Sequence, residues 1–451
     1  MTDWTADGDL QAPRLKVLVS AFACCPPTSP RFSGGEDVLG WHLIQQIGRF
    51  HDVWVLTHAV DREDIERAPN PDARRRVRFV FVGLPRWLLP LARVPGGIQC
   101  YCYLWQIRAY FVARRLTRTV RFDIVHHLTY ANDWMASFIG ALLPLPFVRG
   151  PGGGAQRIPQ TFLRECSLRG RMEEYVRTLG QRVFRLDPIF NLGQRRARAL
   201  LLCNVEALAA TPSRWRAKTS LFPVNGINTA DLPVVSDASH VHADRRFLVC
   251  SAGKLIQLKG FALAIRAFAQ FAVERAGVLE IVGSGPDQPR LEALTRSLGL
   301  GQHVRFVPWL PREQLLKRLG QADVFLFSSL RDGGGAVVVE AMAAGKPVVC
   351  LRLGGAGMHV TPDCGFPIAA DNPEQAVADM SAALRRLYDD PALRRRLGVA
   401  AQERVRAVYD WDRLGERLAT VYADVMGQRG LSHVSSMRAT ADALAQTCTT
   451  S

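Results

Sequence analysis

Leu330-Arg331-Asp332-Gly333-Gly334-Gly335-Ala336-Val337-Val338-Val339-Glu340-Ala341-Met342-Ala343-Ala344-Gly345-Lys346-Pro347-Val348-Val349 decides the fold class of this 451-residue chain. Just upstream, Ala322-Asp323-Val324-Phe325-Leu326-Phe327-Ser328 is an apolar run of strand length, and it leads into an acidic residue and three glycines. Glycines let a backbone approach a ligand closely and open a helix. The residues after them are apolar nearly all round, as in a buried helix, and Pro347-Val348-Val349 begins another strand. Strand, glycine turn, helix and strand make a βαβ unit, the building block of a parallel sheet. Glu340 stands one turn inside the apolar helix. A carboxylate there is costly unless paired or hydrogen-bonded, so it is either a salt-bridged residue at the core edge or a functional one.

Outward from this unit the pattern repeats. Strands are expected over 247–252, 278–282, 304–307, 322–328 and 347–351, with helices over 262–274, 289–298 and 312–319. The first half shows a second series, with strands over 15–22, 52–57, 78–82, 122–127 and 146–149 and a helix over 37–50. Two successive α/β sheets, joined by a turn-rich stretch at about 211–244, imply two Rossmann-like lobes facing one another. A last helix at about 411–426 is placed to cross back over the first lobe. The expected division is 1–220 for the first lobe, 221–410 for the second, 411–429 for the returning helix and 430–451 for a disordered tail.

Loops at strand ends hold the chemistry. Gly253-Lys254-Leu255-Ile256-Gln257-Leu258-Lys259-Gly260 follows the first strand of the second lobe and precedes a helix. Nucleotides bind at such carboxyl ends, and two lysines beside a helix N-terminus suit a diphosphate. Gly283-Ser284-Gly285 is a second tight turn, readable as structural or functional.

Composition narrows the function class. Hydrophobic residues are 48% and charged residues 22%, which excludes a disordered, collagenous or coiled-coil chain. No apolar stretch is long enough for a membrane span, and Met1 to Leu10 carries three Asp, so neither span nor secretory leader is expected. Ten scattered Cys without a CxxC pair point to reduced thiols in a cytoplasm, not to a zinc clip or a disulfide framework. The net charge of +16 is uneven: residues 1–230 hold 31 Lys/Arg against 18 Asp/Glu, residues 231–451 hold 26 against 23. One lobe is therefore expected to meet a polyanion. No nucleic-acid motif is present, which leaves an anionic membrane surface or an anionic substrate.

The ordered motifs resemble those of retaining glycosyltransferase family 4, whose members have the GT-B fold. That family carries an E-x7-E motif followed by AMA-x-G-x-PVV; here Asp332-x7-Glu340, Ala341-Met342-Ala343 and Gly345-Lys346-Pro347 match it. The similarity covers roughly residues 14–428. It implies transfer of a sugar from a nucleotide-sugar with retained configuration, the donor on the second lobe and the acceptor mainly on the first. By this resemblance Lys254 (usually Arg) and Lys259 would neutralise the departing diphosphate, and Glu340 would hold the ribose. Asp332, where the family has Glu, would contact the donor sugar. The 306–309 segment, with Pro308 in place of a usual Gly and then Trp309, would border the base. Gly333, Gly334 and Gly335 would meet sugar or phosphate. In the first lobe, Gly34 and Gly35 resemble the loop that approaches the donor phosphate. His126 and His127 resemble a D-[IV]-[IV]-H stretch with one imidazole facing the sugar, although the family has His-x-His. Either imidazole is alternatively structural. The loop 150–154 is similar to a G-P-x-GGG loop and is expected near the cleft.

No Asp-x-Asp stands at a strand end, so neither metal nor cofactor is expected. The nucleotide-sugar enters as a substrate, its acceptor being a lipid-linked or envelope glycan. Two alternatives remain: a catalytically weak, nucleotide-sugar-binding partner subunit, and a soluble transferase for a small metabolite. Residues 86–93 and 98–116 mix Arg with Trp, Tyr, Leu and Phe; Tyr101, Leu104, Trp105, Arg108 and Val112 share one helical face. That face either lies in a lipid headgroup layer, giving a peripheral protein on the cytoplasmic side of the inner membrane, or packs on the core.

Overall fold

The computed structural model describes residues 14–31, 35–68, 76–94, 96–132, 134–229, 232 and 246–427. Gly34 and the tail expected over 430–451 lie outside them. The first sheet has seven strands: β1 (Lys16–Ala21), β2 (Asp52–His58), β3 (Val77–Val82), β4 (Ile124–Thr129), β5 (Phe147–Gly152), β6 (Ala197–Leu202) and β7 (Thr219–Leu221). The second has six: β8 (Phe247–Ala252), β9 (Gly277–Val282), β10 (Val304–Val307), β11 (Val324–Phe327), β12 (Val348–Leu351) and β13 (Gly365–Ile368). Their orders are β3-β2-β1-β4-β5-β6-β7 and β10-β9-β8-β11-β12-β13, and the pairings are parallel. Each sheet grows one way from its first strand and then reverses beside it. In sheets of this kind ligands bind beyond the carboxyl ends of the strands at that reversal, which falls at the pair β1 and β4 and at the pair β8 and β11.

The apolar runs become strands because helices cover both sheet faces, so period-2 alternation is absent and the residues are buried on both sides. In β9 all six residues are buried, Glu280 among them, and Arg318 donates to both of its carboxylate oxygens. The helix Phe261–Ala272 sends Leu263, Ile265, Phe268 and Phe271 into the second-lobe core, against Met380, Leu384 and Leu387 of the helix Pro373–Asp389. Each such burial is worth ~1.5–3 kcal/mol.

The helix Trp411–Val425 follows the second lobe in sequence but joins the core of the first, as expected. Trp411, Leu414, Leu418, Val421, Tyr422 and Val425 form its buried stripe, packed with Leu43 and Ile47 of the helix Glu36–Phe50. Of the two readings of 98–116, a lipid-facing surface or a face packed on the core, the second holds for Tyr101 and Trp105, and the lipid-facing one is corrected there. The helix exists, over Gly97–Leu116, but Tyr101 and Trp105 are buried in the first-lobe core, and the Trp105 indole donates to Val82 O at 2.8 Å. Trp87 does stand in solvent, 76% exposed. Among the described residues no helix is long and apolar enough to cross a membrane.

Candidate functional site

The two loops flanking the second reversal interlock. After β8 the chain makes a short 3₁₀ turn at Gln257–Lys259 and enters the helix Phe261–Ala272 through Gly260, whose φ is +64°. A Cβ on Gly260 would lie 2.1 Å from Ser328 O, so only glycine lets this turn reach the end of β11. Leu330 N then donates to Leu258 O at 2.9 Å and the Ser328 hydroxyl to Gly260 O at 2.8 Å. This interlocking joins residues 73 apart: the Lys259 ammonium donates to Asp332 Oδ2. Asp332 Oδ1 accepts from Gly335 N at 2.8 Å and Gly334 N at 3.2 Å, at the start of the helix Ala336–Ala343. Burial pushes the Asp332 carboxyl up, but Lys259 and the two amides outweigh it and hold it below the usual range. The carboxylate is charged at neutral pH. Lys254 is exposed on the same loop, apart from the Asp332 pair.

Glu340 is mostly buried and accepts from Arg312 Nε at 2.7 Å on Oε1, so the ion pair at the core edge is present. Trp309 follows β10, 70% exposed, with its amide on Ser284 Oγ at 3.2 Å, and Pro308 precedes it. At the turn 283–285 the packing requires glycine: Gly283 has φ +146°, and a Cβ there would lie 1.9 Å from Gly253 O.

The glycine loop is held from beneath by residues that sequence reasoning missed. Asn204 Nδ2 donates to Gly333 O at 3.0 Å, and Asn225 Nδ2 donates to Gly334 O. His359 Nε2 lies 2.5 Å from the same Gly334 oxygen, while its Nδ1 lies 2.8 Å from the Tyr409 hydroxyl. A carbonyl only accepts, so the proton is on Nε2 and the Tyr409 hydroxyl donates to Nδ1. Burial holds this imidazole at about 4, hence neutral. Arg331 pairs with Glu174 of the first lobe. Lone Asn and His residues carry no motif; their roles exist only through these tertiary contacts.

In the first lobe, Gly35 precedes the helix Glu36–Phe50 with φ +42° and open space where a Cβ would be. Both imidazoles are fully buried and point to opposite faces of β4. His126 lies 2.6 Å from the Tyr422 hydroxyl and 2.5 Å from Gly150 O, so both ring nitrogens are engaged, and burial holds it at about 4. His127 Nδ1 lies 3.4 Å from Gln106 Nε2, and the Tyr130 backbone also interacts with this imidazole. Its Nε2 lacks a well-formed hydrogen bond among the described residues. It sits near Tyr130, whose amide donates to Glu36 at 3.0 Å. Burial raises the Glu36 carboxyl to about 6. His126 therefore has both ring nitrogens engaged within the first lobe, whereas His127 is the less fully bonded of the two. Just beyond the 150–154 loop, Gln156 stands near the glycine loop of the second lobe: a Cβ on Gly333 would lie 3.3 Å from its Nε2. A cavity of about 140 Å³ in the first lobe is lined by Arg149, the cross-strand neighbour of His127, and by Phe190, Gln194 and Trp215.

The second-lobe loops therefore combine a lysine, an ionised carboxylate, a helix N-terminus and an acidic residue one turn further along. Such a set can hold a diphosphate and stabilise charge developing on it.

Comparison with known proteins agrees with this geometry. Residues 235–404 match the family described as Glycosyl transferases group 1. The lipopolysaccharide core biosynthesis glycosyltransferase LpsD of Rhizobium meliloti is 34% identical over 195 residues, 42% of this chain and 50% of that protein. A GDP-mannose-dependent monoacylated alpha-(1-6)-phosphatidylinositol monomannoside mannosyltransferase of Corynebacterium glutamicum is 32% identical over 176 residues, 37% of this chain and 45% of that one. The chain thus spans half or less of the length of these relatives. Sucrose-phosphate synthase from Thermosynechococcus elongatus shares the fold at 19% identity, with a TM-score of 0.64 over 92% of this chain and 100% of that one. The chain has the two-lobed GT-B architecture, and within it residues 235–404 are similar to the glycosyl transferases of group 1.

Proposed function

We propose that this chain is a retaining glycosyltransferase that moves a sugar from a UDP- or GDP-sugar to a hydroxyl of a lipid-linked or envelope glycan. The observation that carries the proposal is the meeting of Lys259 and Asp332 beside the start of the helix Ala336–Ala343, at the reversal of the second sheet. With donor bound, Lys259 and Lys254 neutralise the diphosphate as the glycosidic bond breaks. The dipole of the helix Ala336–Ala343 adds fixed positive potential at its start that needs no reorganisation. Glu340 holds the ribose, Trp309 borders the base, and Asp332 orients the sugar. The departing phosphate takes the proton of the acceptor hydroxyl, which attacks from the same face. The relatives' roles in lipopolysaccharide core and phosphatidylinositol mannoside synthesis favour a lipid-linked acceptor. A nucleotide-sugar donor and reduced thiols suit the cytoplasmic side.

No metal enters this mechanism. Release of nucleotide diphosphate from the donor is expected to persist in EDTA; strict dependence on Mg²⁺ or Mn²⁺ would contradict it.

One observation favours a second reading, a nucleotide-sugar-binding partner subunit without turnover: Asp332 is already occupied, with Oδ1 on the Gly334 and Gly335 amides and Oδ2 on Lys259. Donor binding without release of diphosphate, tried over a set of lipid-linked acceptors, would select that reading.

A further inference from the structure

The helix Leu168–Phe184 is built inside out. Its buried residues are Glu174 and Gln181, both polar. Leu168, Met172, Tyr175, Leu179, Val183 and, just past its end, Leu186 stand in solvent, each between 48% and 81% exposed. Their spacing of three and four residues puts them on one stripe. An amphipathic helix of a soluble lobe turns such a stripe to the core; this one turns it away. Contiguous apolar surface of this kind marks an interaction face.

We propose that this stripe docks the protein on an anionic lipid bilayer. The occupant follows from charge. By helical phase Arg171 and Arg182 border the stripe on one side and Arg169, ion-paired with Glu173 at 2.9 Å, on the other, all three exposed. Residues 1–230, which contain the helix, carry 31 Lys/Arg against 18 Asp/Glu. A second copy would set two arginine-bordered stripes against each other, whereas anionic headgroups match the arginines and acyl chains match the stripe. This face takes the place of the Gly97–Leu116 helix, whose Tyr101 and Trp105 are spent on the core.

The inner face ties the docking surface to the cleft. Glu174 pairs with Arg331, the neighbour of Asp332, while Arg177 and Gln181 donate to Gly154 O at 2.6 and 2.8 Å. The helix thus spans from the bilayer to the two loops that frame the candidate site. That consequence, a lipid-linked acceptor delivered at the cleft mouth, rests on the proposed function; the docking itself does not.

The test is co-sedimentation of the full chain with phosphatidylcholine vesicles and with vesicles containing phosphatidylglycerol, at 0.1 M and 1 M salt. The wild-type chain should bind the anionic vesicles roughly tenfold more strongly than the neutral ones. The preference should shrink at high salt as the Debye length falls from about 10 to about 3 Å. The triple variant Met172→Ser, Leu179→Ser, Val183→Ser should lose binding by roughly tenfold or more with an unchanged melting midpoint, because the three side chains are already in water. Trp87→Ser should stay within about twofold of wild type, since Trp87 lies outside the stripe. If the triple variant misfolds, Arg169→Gln with Arg182→Gln should still reduce binding to anionic vesicles alone. Wild-type binding by the triple variant or by the double arginine variant, or none by the wild-type chain, overturns the proposal. So does self-association in sedimentation velocity that the triple variant abolishes, which would make the stripe a contact between copies. Failure of nucleotide diphosphates to bind, measured separately, would count against the proposed function and leave this result standing.

Discussion

Asp332 serves two partners at once, and the division between its oxygens makes its role separable. Asn at 332 keeps an acceptor for the Gly334 and Gly335 amides but removes the charge facing Lys259. Asp332→Asn is therefore expected to lower the release of nucleotide diphosphate from a sugar donor by roughly 10²-fold. Binding of the free diphosphate should hold or tighten, as Lys259 loses its competitor; unchanged turnover would remove Asp332 from the chemistry. Glu340→Ala should act on binding instead, weakening nucleotide roughly tenfold as a charged acceptor disappears, which calorimetric titration reads directly. Asp332 and Glu340 were legible in the sequence because glycines and an apolar helix isolate them within one segment. Lys259 was legible as a phosphate-side lysine, but its pairing with Asp332 was not, since only the adjacency of β8 and β11 creates it. Asn204, Asn225 and His359 were invisible for the same reason: each acts on a backbone carbonyl far along the chain.

At the scale of elements, long apolar runs were read correctly and short or helix-like ones were missed. Ala197-Arg-Ala-Leu-Leu-Leu202 is made of strong helix formers, yet it is β6, because its place between β5 and β7 overrides propensity. Gly365-Phe-Pro-Ile368 contains a proline, tolerable because β13 is an edge strand. The returning helix was legible from its stripe at helical spacing, but its polar contact was not. Tyr422 reaches across to His126, and Tyr422→Phe would leave Nδ1 of a fully buried imidazole without its donor. A loss of ~1–3 kcal/mol in urea unfolding is expected. Binding of nucleotide should survive, because His126 has both ring nitrogens engaged within the first lobe; an equal loss of both would mean that the helix positions the donor site as well.

For the whole molecule, burial of neutral imidazoles sets the response to acid. His42, His51, His58, His126 and His359 are all held at about 4 by burial, whereas an unfolded chain protonates them near 6.5. The stability they contribute is complete above pH 6.5 and is lost as pH falls from there to 4. Glu36 and Asp61, raised to about 6 chiefly by burial, work oppositely between about 4 and 6. Five imidazoles outweigh two carboxyls, at about 1.4 kcal/mol per proton per pH unit. The urea midpoint should therefore drop between pH 7 and pH 5; a constant or rising midpoint would mean that these imidazoles are solvated. Nucleotide binding is also a whole-molecule quantity, since a ligand at 100 times its Kd stabilises the fold by about 2.7 kcal/mol. The most direct measurement is thermal unfolding of the wild-type chain and of Lys259→Ala with UDP, GDP and ADP. A rise of several degrees with UDP or GDP in the wild-type chain, largely lost in Lys259→Ala, is the predicted result. No shift with any nucleotide, or the same shift in both proteins, would contradict a diphosphate site at the meeting of Lys259 and Asp332.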